Sequence, residues 1–253
     1  MASKLTIRDL SKDFPGQGRQ EPLRVLDGID LDVPAGGFVS IVGLNGSGKT
    51  TLLRIIAGLE RASRGTVLVN GRESDQLPGG DIGMVCQEVA LLPWRTVLKN
   101  IEVGLEIKGL APRERTTLAM DYIRAFGLAG FESKYPKELS GGMRQKVAIA
   151  RTLVTGPGLV LMDEPFSALD CQTRNNLQAF LLGVWSSRRD TVLFVTHNIE
   201  EAVYMSDSIV VISQKPAKVL EVVPVDILRP RDRTGSEHNS VRRYVLNILR
   251  HMS

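Results

Sequence analysis

Apolar and polar residues alternate over the first part of the chain. The run KLTIRDL is followed, across the polar glycine- and proline-containing stretch PGQGRQEP, by LDGIDLDV with Leu26, Ile29, Leu31 and Val33 as its apolar positions. This pattern predicts an antiparallel meander of short strands. Phe38, Val39, Ser40, Ile41 and Val42 read as a short buried strand, and a glycine-rich turn follows. Leu52, Leu53, Ile55, Ile56 and Leu59 then recur at helical spacing, which predicts a helix over 51–59. From about 112 to 153 the texture is helical, with Leu118, Tyr122, Ile123 and Phe126 on one face. The runs 159–162, 192–195 and 209–212 are apolar or β-branched, have the length of strands and are separated by helical segments. Strands alternating with helices predict a parallel sheet covered on both faces, the helix-rich middle being an insertion into it.

Composition narrows the class. With 253 residues, 43% of them hydrophobic and 24% charged, the chain can bury a core, which excludes a disordered chain and a disulfide scaffold. Cys86 and Cys171 have no metal-ligand spacing and are expected to be reduced thiols. His197, His238 and His251 are scattered, so no protein-built transition-metal site is expected. No apolar run approaches the ~20 residues that span a bilayer. The charged start MASKLTIRDLSK has no apolar segment of the secretory kind, so no signal peptide is expected.

The formal charge of +4 would suit nucleic acid or an anionic membrane, but its location changes that picture. Arg229, Arg231, Arg233, Arg242, Arg243 and Arg250, set against Asp232 and Glu237, hold the whole excess. Val241, Tyr244, Val245, Ile248, Leu249 and Met252 form a helical stripe in the same region. They predict an amphipathic helix over about 240–252 with a basic outer face. Its stripe either docks on the body of the protein or meets a regulator or membrane surface.

Gly43, Leu44, Asn45, Gly46, Ser47, Gly48, Lys49 and Thr50 match G-x-x-x-x-G-K-[ST], with a strand before and a helix after. Such a loop turns successive backbone N–H groups inward around phosphates, and the following helix aims its positive end at the same anion. Lys49 is expected to reach the β- and γ-phosphates and the Thr50 hydroxyl to hold Mg²⁺, with Thr51 beside them in the helix start.

The strand 159–162 ends in Asp163 and Glu164, which it would deliver to the carboxyl edge of the sheet. Asp163 is expected to complete the Mg²⁺ shell through water, and Glu164 to activate or orient the water that attacks the γ-phosphate. The plainer alternative is a pair of helix-start carboxylates beside Pro165. His197 leaves the strand 192–195 after one threonine, which suits a γ-phosphate contact. Gln87 follows another strand-like run, 83–86, and is either a ligand for Mg²⁺ and the attacking water or a solvated loop amide.

Leu139, Ser140, Gly141, Gly142, Met143, Arg144 and Gln145 open a helix, with Ser140 as N-cap and the paired glycines leaving backbone N–H groups uncovered. Taken in order, the phosphate loop 43–50, Gln87, LSGGMRQ at 139–145, LVLMDEP at 159–165, SALD at 167–170 and His197 resemble the ATP-binding-cassette ATPases over nearly the whole chain. The resemblance implies an α/β P-loop NTPase cassette: a mainly parallel sheet core with an N-terminal antiparallel β subdomain (about 1–87 and 157–228), an inserted helical subdomain (about 88–156) and the C-terminal helix.

It also implies that two cassettes pair head to tail, a homodimer being the expectation. Each ATP would then lie between one phosphate loop and the partner's signature, so that Ser140, Gly141 and Gly142 contact the nucleotide bound by the other copy. Asp170 would communicate across that interface, and Phe14 would stack on adenine. ATP and Mg²⁺ are the implied ligands. The stretch Gln87 to Trp94, with Thr96, Val97, Asn100 and Ile101, and the late Lys215-Pro216 and Arg229–Arg233 segments, look like the nitrate/sulfonate/taurine importer group. That implies a separate membrane permease, a solute-binding protein acting through the complex, and a peripheral place on the cytoplasmic face of the cell membrane. Pro93-Trp94 is either a socket for the permease or an ordinary buried tryptophan. A soluble cassette acting on nucleic acid or ribosomes is the other reading, against which stands the lack of a coiled-coil insert, a second cassette or an aromatic-rich basic stretch.

Overall fold

The computed structural model describes residues 3–16, 21–77 and 80–250. In chain order its elements begin with β1 (Ser3–Phe14), β2 (Leu23–Pro34), β3 (Phe38–Val42), α1 (Lys49–Ile56), β4 (Arg64–Val69) and β5 (Arg72–Glu73). Next come β6 (Ile82–Val85), α2 (Val97–Ile107), α3 (Pro112–Ala125), α4 (Gly141–Leu153), β7 (Leu159–Asp163) and α5 (Cys171–Arg188). The chain ends with β8 (Thr191–Thr196), α6 (Ile199–Met205), β9 (Ser208–Ile212), β10 (Val219–Pro224) and α7 (Ser236–Arg250). These elements form two compact units, one from the residues up to Leu77 together with those from Arg189 on, the other from Pro78–Arg188.

In the first unit β1 pairs antiparallel with β2 and with β4, giving the strand order β2-β1-β4-β5. The alternation in the sequence sets the register: Leu5 opposes Val33, Ile7 opposes Leu31 and Leu10 opposes Ile29, all of them buried. The same unit holds the order β10-β9-β3-β8, in which β3 is parallel to both β8 and β9, and β10 is antiparallel to β9. Every residue of β3 and β8 is buried, the pattern of strands covered on both faces.

Helix α1 stops at Ile56, short of the expected Leu59. Gly58, at φ +71°, ends it: the Leu59 N–H donates to the Arg54 carbonyl (2.8 Å) and the Gly58 N–H to that of Ile55 (3.0 Å). This is the Schellman arrangement, in which a glycine in the left-handed region closes the last turn. Leu59 is left 62% exposed.

In the second unit β6 and β7 are parallel, with Ile82 opposite Leu159 and Val85 opposite Met162. The helical texture expected over 112–153 is broken between Ala125 and Gly141. Gly127 and Gly130 take positive φ there, and Pro136 starts a single 3₁₀ turn. On α3, Ile123 and Phe126 are buried, and Phe126 meets Phe180 of α5 edge to face at 4.7 Å. Glu102 of α2 is fully buried, yet it accepts from Lys99 Nζ (2.7 Å) and Thr116 Oγ1 (2.6 Å). Among the described residues no helix is long and apolar enough to cross a membrane.

Helix α7 lays its stripe on the first unit. Val245 is fully buried among Val42, Ile199, Ala202, Val203, Ile209 and Val211, and Val241, Leu246, Ile248 and Leu249 pack around it. Met252, placed on that stripe by its spacing, lies outside the described residues. Tyr244 departs from the expectation: it is 50% exposed, and its hydroxyl donates to Glu221 Oε1 (2.7 Å).

The outer face of α7 is basic, as expected, but the arginines that precede the helix do not share that exposure. Arg242, Arg243 and Arg250 are exposed, but Arg229, Arg231 and Arg233 are turned onto α6. Buried Arg231 donates to the carbonyls of Val203, Tyr204, Ser206, Val225 and Ile227 at 2.6–3.2 Å. Desolvation lowers its pKa to about 10, which leaves it charged at neutral pH.

His238, on the first turn of α7, is 1% exposed. Burial pushes its pKa below the ordinary value of 6.5, against the pull of the Glu200 carboxylate and aided by Arg233 and Arg231. Above that value the imidazole is neutral in both folded and unfolded chains. As pH falls below it the unfolded chain takes up the proton first, so stability declines. Replacing His238 by Leu is expected to flatten the loss of stability between about pH 7 and 5. Urea unfolding at each pH checks this, and an unchanged slope would refute it.

Candidate functional site

The phosphate-loop motif lies in the first unit, between β3 and α1. Its glycines are required by space and by conformation. A Cβ on Gly43 would come within 2.7 Å of Ile212 Cγ1 and 3.0 Å of Ser47 Oγ. Gly48 has φ +104°, and a Cβ there would meet Val25 Cγ1 at 2.9 Å. Gly46 has φ +77° and open space around it. Lys49 is 5% exposed, and its ammonium curls into the loop to donate to the carbonyls of Gly43 (2.9 Å) and Leu44 (3.0 Å). Among the described residues Ser47 Oγ is buried with no hydrogen-bond partner, a polar atom that a phosphate oxygen would satisfy. Leu44, Asn45 and Gly46 form the exposed rim. Thr50 is exposed and Thr51 half-buried in the first turn of α1, which carries no acidic residue to compete with an anion. An inward ammonium, an orphaned hydroxyl and a cradle a Cβ would fill together suit a bound polyphosphate.

His197 emerges beside this loop. In the parallel pairing of β3 with β8, Val42 stands opposite Thr196, so Gly43 and His197 leave the sheet at the same edge. Both neighbours of His197 are fixed. The Thr196 hydroxyl donates to Glu201 Oε2 (2.8 Å) and accepts the Asn198 N–H (3.0 Å). Asn198 Oδ1 caps α6 by accepting the Glu200 N–H (3.0 Å). His197 is exposed and, with Asn198, Glu200 and Arg242, lines a shallow cleft of about 300 Å³.

Phe14 ends β1 and is half-buried, with Lys12 Nζ 4.7 Å from its ring centroid. That ammonium is held by Glu60 Oε1 (2.7 Å) and the Arg61 carbonyl (2.8 Å). Residues 17–20 of the loop that follows lie outside the described residues.

The second unit repeats the strand-edge device. Because Val85 opposes Met162, Cys86 and Asp163 stand one step further along, and Gln87 and Glu164 follow them out of the pair. Asp163 is 3% exposed. Glu164 has φ +43°, in the left-handed region that non-glycine residues rarely occupy. The turn after it holds that geometry: the Glu164 carbonyl accepts both the Ser167 N–H (3.2 Å) and its hydroxyl (3.0 Å). Backbone strain of this kind persists only where its surroundings enforce it, and it gathers at functional sites. Gln87 is exposed.

In the same unit Ser140 caps α4, its Oγ accepting the Met143 N–H (3.3 Å). Gly141 is exposed and Gly142 partly so. A Cβ on Gly142 would come within 2.7 Å of Thr173 Cγ2. Thr173 is also the partner of Asp170, whose Oδ1 accepts its N–H (2.9 Å). The Thr173 hydroxyl first, then backbone N–H groups, hold the Asp170 carboxyl below the usual carboxylate range. The signature and Asp170 are therefore tied to the same first turn of α5.

Two features were less legible in the sequence. Trp94 is 71% exposed, so the buried-tryptophan alternative is set aside. Asn100, fully buried on α2, organises the turn that presents it: Nδ2 donates to the carbonyls of Leu92 (3.1 Å), Arg95 (2.8 Å) and Thr96 (3.0 Å), and Oδ1 accepts the Leu92 N–H (2.8 Å). The one signal was an amide at a helical position otherwise apolar. Neither cysteine is paired; both are exposed.

A family model described as ABC transporter matches residues 26–167. An uncharacterized ABC transporter ATP-binding protein of Methanocaldococcus jannaschii is 50% identical over 250 residues, 99% of this chain and 92% of that protein. The aliphatic sulfonates import ATP-binding protein SsuB of Bacillus cereus is 40% identical over 96% of this chain and 94% of its own length. The nitrate import ATP-binding protein NrtD of Synechocystis is 42% identical over 91% and 87%. Among solved structures, a dimeric ATP-binding cassette in a post-hydrolysis state bound to ADP and Pi superposes with a TM-score of 0.77 at 30% identity, covering 88% of this chain and all of that one. The match of the family model over more than half of the chain, together with these near full-length relatives, settles the lineage: this chain belongs to the ABC transporter family, as an ATP-binding cassette.

Proposed function

We propose that this cassette is the ATP-hydrolysing subunit of an importer, coupling hydrolysis to uptake of a small solute of the nitrate, sulfonate or taurine kind through a separate permease. The observation that carries the importer reading is Trp94, an exposed indole beside Pro93 on a turn braced by Asn100, a few residues from Gln87. A large apolar side chain held rigidly in solvent suits a partner that covers it. The sulfonate and nitrate import proteins, each about as similar to this chain as the other, support the importer class and leave its solute among such compounds.

The chemistry assigned to the residues follows from their settings. Lys49 would exchange its two loop carbonyls for β- and γ-phosphate oxygens, and the amides of 43–51 would complete the cradle. The Thr50 hydroxyl and the Gln87 amide would hold Mg²⁺, with the Asp163 carboxylate completing its shell through water, a hard-oxygen donor set of the kind that cation prefers. Mg²⁺, when bound, supplies charge neutralisation at the phosphates. Glu164 would take a proton from the attacking water as its oxygen bonds to the γ-phosphorus and the bond to ADP breaks; His197 would steady the γ-phosphate. Ser140, Gly141 and Gly142 would contact ATP held by a second copy, Asp170 would relay that pairing, and Phe14 would stack on adenine. The dimeric relative bound to ADP and Pi supports this pairing. The subunit would sit on the cytoplasmic face of the cell membrane, receiving solute signals from a binding protein through the permease. The nucleic-acid alternative loses ground because Arg229, Arg231 and Arg233 are spent on α6.

Three outcomes are expected. Gly48→Ala, strained at φ +104° and crowding Val25, should weaken ATP binding by tenfold or more, about 1.4 kcal/mol, in a fluorescent-nucleotide titration. Glu164→Gln should keep nucleotide binding, accumulate an ATP-bound dimer on size exclusion and lower turnover by about a hundredfold or more. Normal turnover there would remove Glu164 as the base. Reconstituted with its permease and binding protein, the cassette should show ATPase stimulated by solute, and Trp94→Ala should abolish that stimulation. Solute-independent hydrolysis in the full complex would sink the importer reading.

A further inference from the structure

The Arg229–Arg233 segment has no part in the nucleotide chemistry, yet all three of its arginines donate to α6 or its flanks. Its target is α6, only seven residues long and joined to His197 through Asn198. A helix that short has no independent stability, so its position is set by what holds it.

Arg229 donates to Asp207 Oδ1 (2.5 Å) and to the Met205 carbonyl (2.6 Å). Arg231 takes the carbonyls of Val203, Tyr204 and Ser206, the last turn of α6. Arg233 reaches back along the helix. Its guanidinium lies 3.5 Å from the Tyr204 ring centroid, and NH1 donates to Glu200 Oε1 (3.2 Å). Glu200 is the residue whose N–H the Asn198 cap accepts. The contacts therefore run from Arg233 to Glu200, to Asn198, and across His197 to Thr196, which is itself bonded to Glu201.

We propose that Arg233, backed by Arg229 and Arg231, is a positioning residue for ATP hydrolysis: it fixes the placement of α6 and thereby aims His197. The proposal rests on the reading of His197 as the γ-phosphate contact. Displacing a group that must meet a reacting phosphate by about an ångström can cost up to a hundredfold in rate, while binding elsewhere on the nucleotide is untouched. A contact that merely stabilised the fold would lower affinity and turnover together.

The test uses the full chain with Mg-ATP, and histidine NMR on the same protein. The His197 imidazole resonance is assigned from a His197→Ala variant. Arg233→Gln is expected to lower kcat about tenfold or more, leave KM for ATP within about threefold, and move the His197 resonance. Glu200→Gln, which removes the other half of the ion pair, should do the same. Arg233→Lys, which keeps the pair without the planar stack, should fall between, and Arg243→Gln, on exposed α7 surface, should change nothing. Unaltered kcat with an unmoved His197 resonance in both the Arg233→Gln and Glu200→Gln variants overturns the proposal. So does a loss of ATP affinity that matches the loss of turnover. His197→Ala tests the underlying reading separately: full turnover there ends the γ-phosphate role, while a moved resonance in Arg233→Gln still establishes the positioning.

Discussion

The candidate site residues at the sheet edges depend on parallel strands that end together within each unit. A ladder between buried strands cannot slip by one residue without losing its hydrogen bonds and displacing whatever follows by about 3.3 Å. In the first unit, Val42 opposite Thr196 delivers the phosphate loop and His197 to one edge. In the second, Val85 opposite Met162 does the same for Gln87 and the Asp163–Glu164 pair. The apolar content of β3, β7 and β8 is thus the precondition for the precision of the polar residues at their ends. Rigid strands place short loops, and short loops place side chains.

At the phosphate loop the same logic works on the backbone. The amides can converge only where no Cβ intervenes, and the space at Gly43 and Gly48 is already taken by Ile212 and Val25. Lys49 donates to two loop carbonyls, acceptors weaker than a phosphate would be for a cation. On the proposed reading, binding would exchange one set of acceptors for a better one. Glu164 departs from this economy. Its left-handed backbone stores strain beside a proline, and the Ser167 contacts keep it there.

What could be read in the sequence was what local pattern determines. Alternation located β1 and β2, apolar runs located β3, β7, β8 and β9, and the glycine–lysine spacing located the phosphate cradle. What escaped depends on contacts far along the chain. The end of α1 turned on a single glycine, Gly58, inside a helical stripe whose spacing runs on to Leu59. The exposure of Trp94 followed from Asn100 folding the preceding turn around itself, which no periodicity announces. The Thr173 link between Gly142 and Asp170 joins two motifs, each recognisable alone, through a residue that belongs to neither.

The arginines show most clearly why composition can mislead. Counted as charges, the six after residue 228 describe a basic tail. Three of them act as donors instead. The last carbonyls of a helix have no partners of their own, and burying them unsatisfied costs about 1–3 kcal/mol each. Arg231 meets three such groups at once and two more, Val225 and Ile227, from the segment after β10, which offsets its own desolvation. A lysine, with three donors on a single point, could not span these five acceptors, and its charge would be harder to keep when buried. Arginine at about 10 stays protonated at neutral pH, so the donors are never withdrawn. The clamp on α6 therefore demands guanidinium geometry more than positive charge, and of the six arginines of this segment only Arg242, Arg243 and Arg250 are left to face solvent.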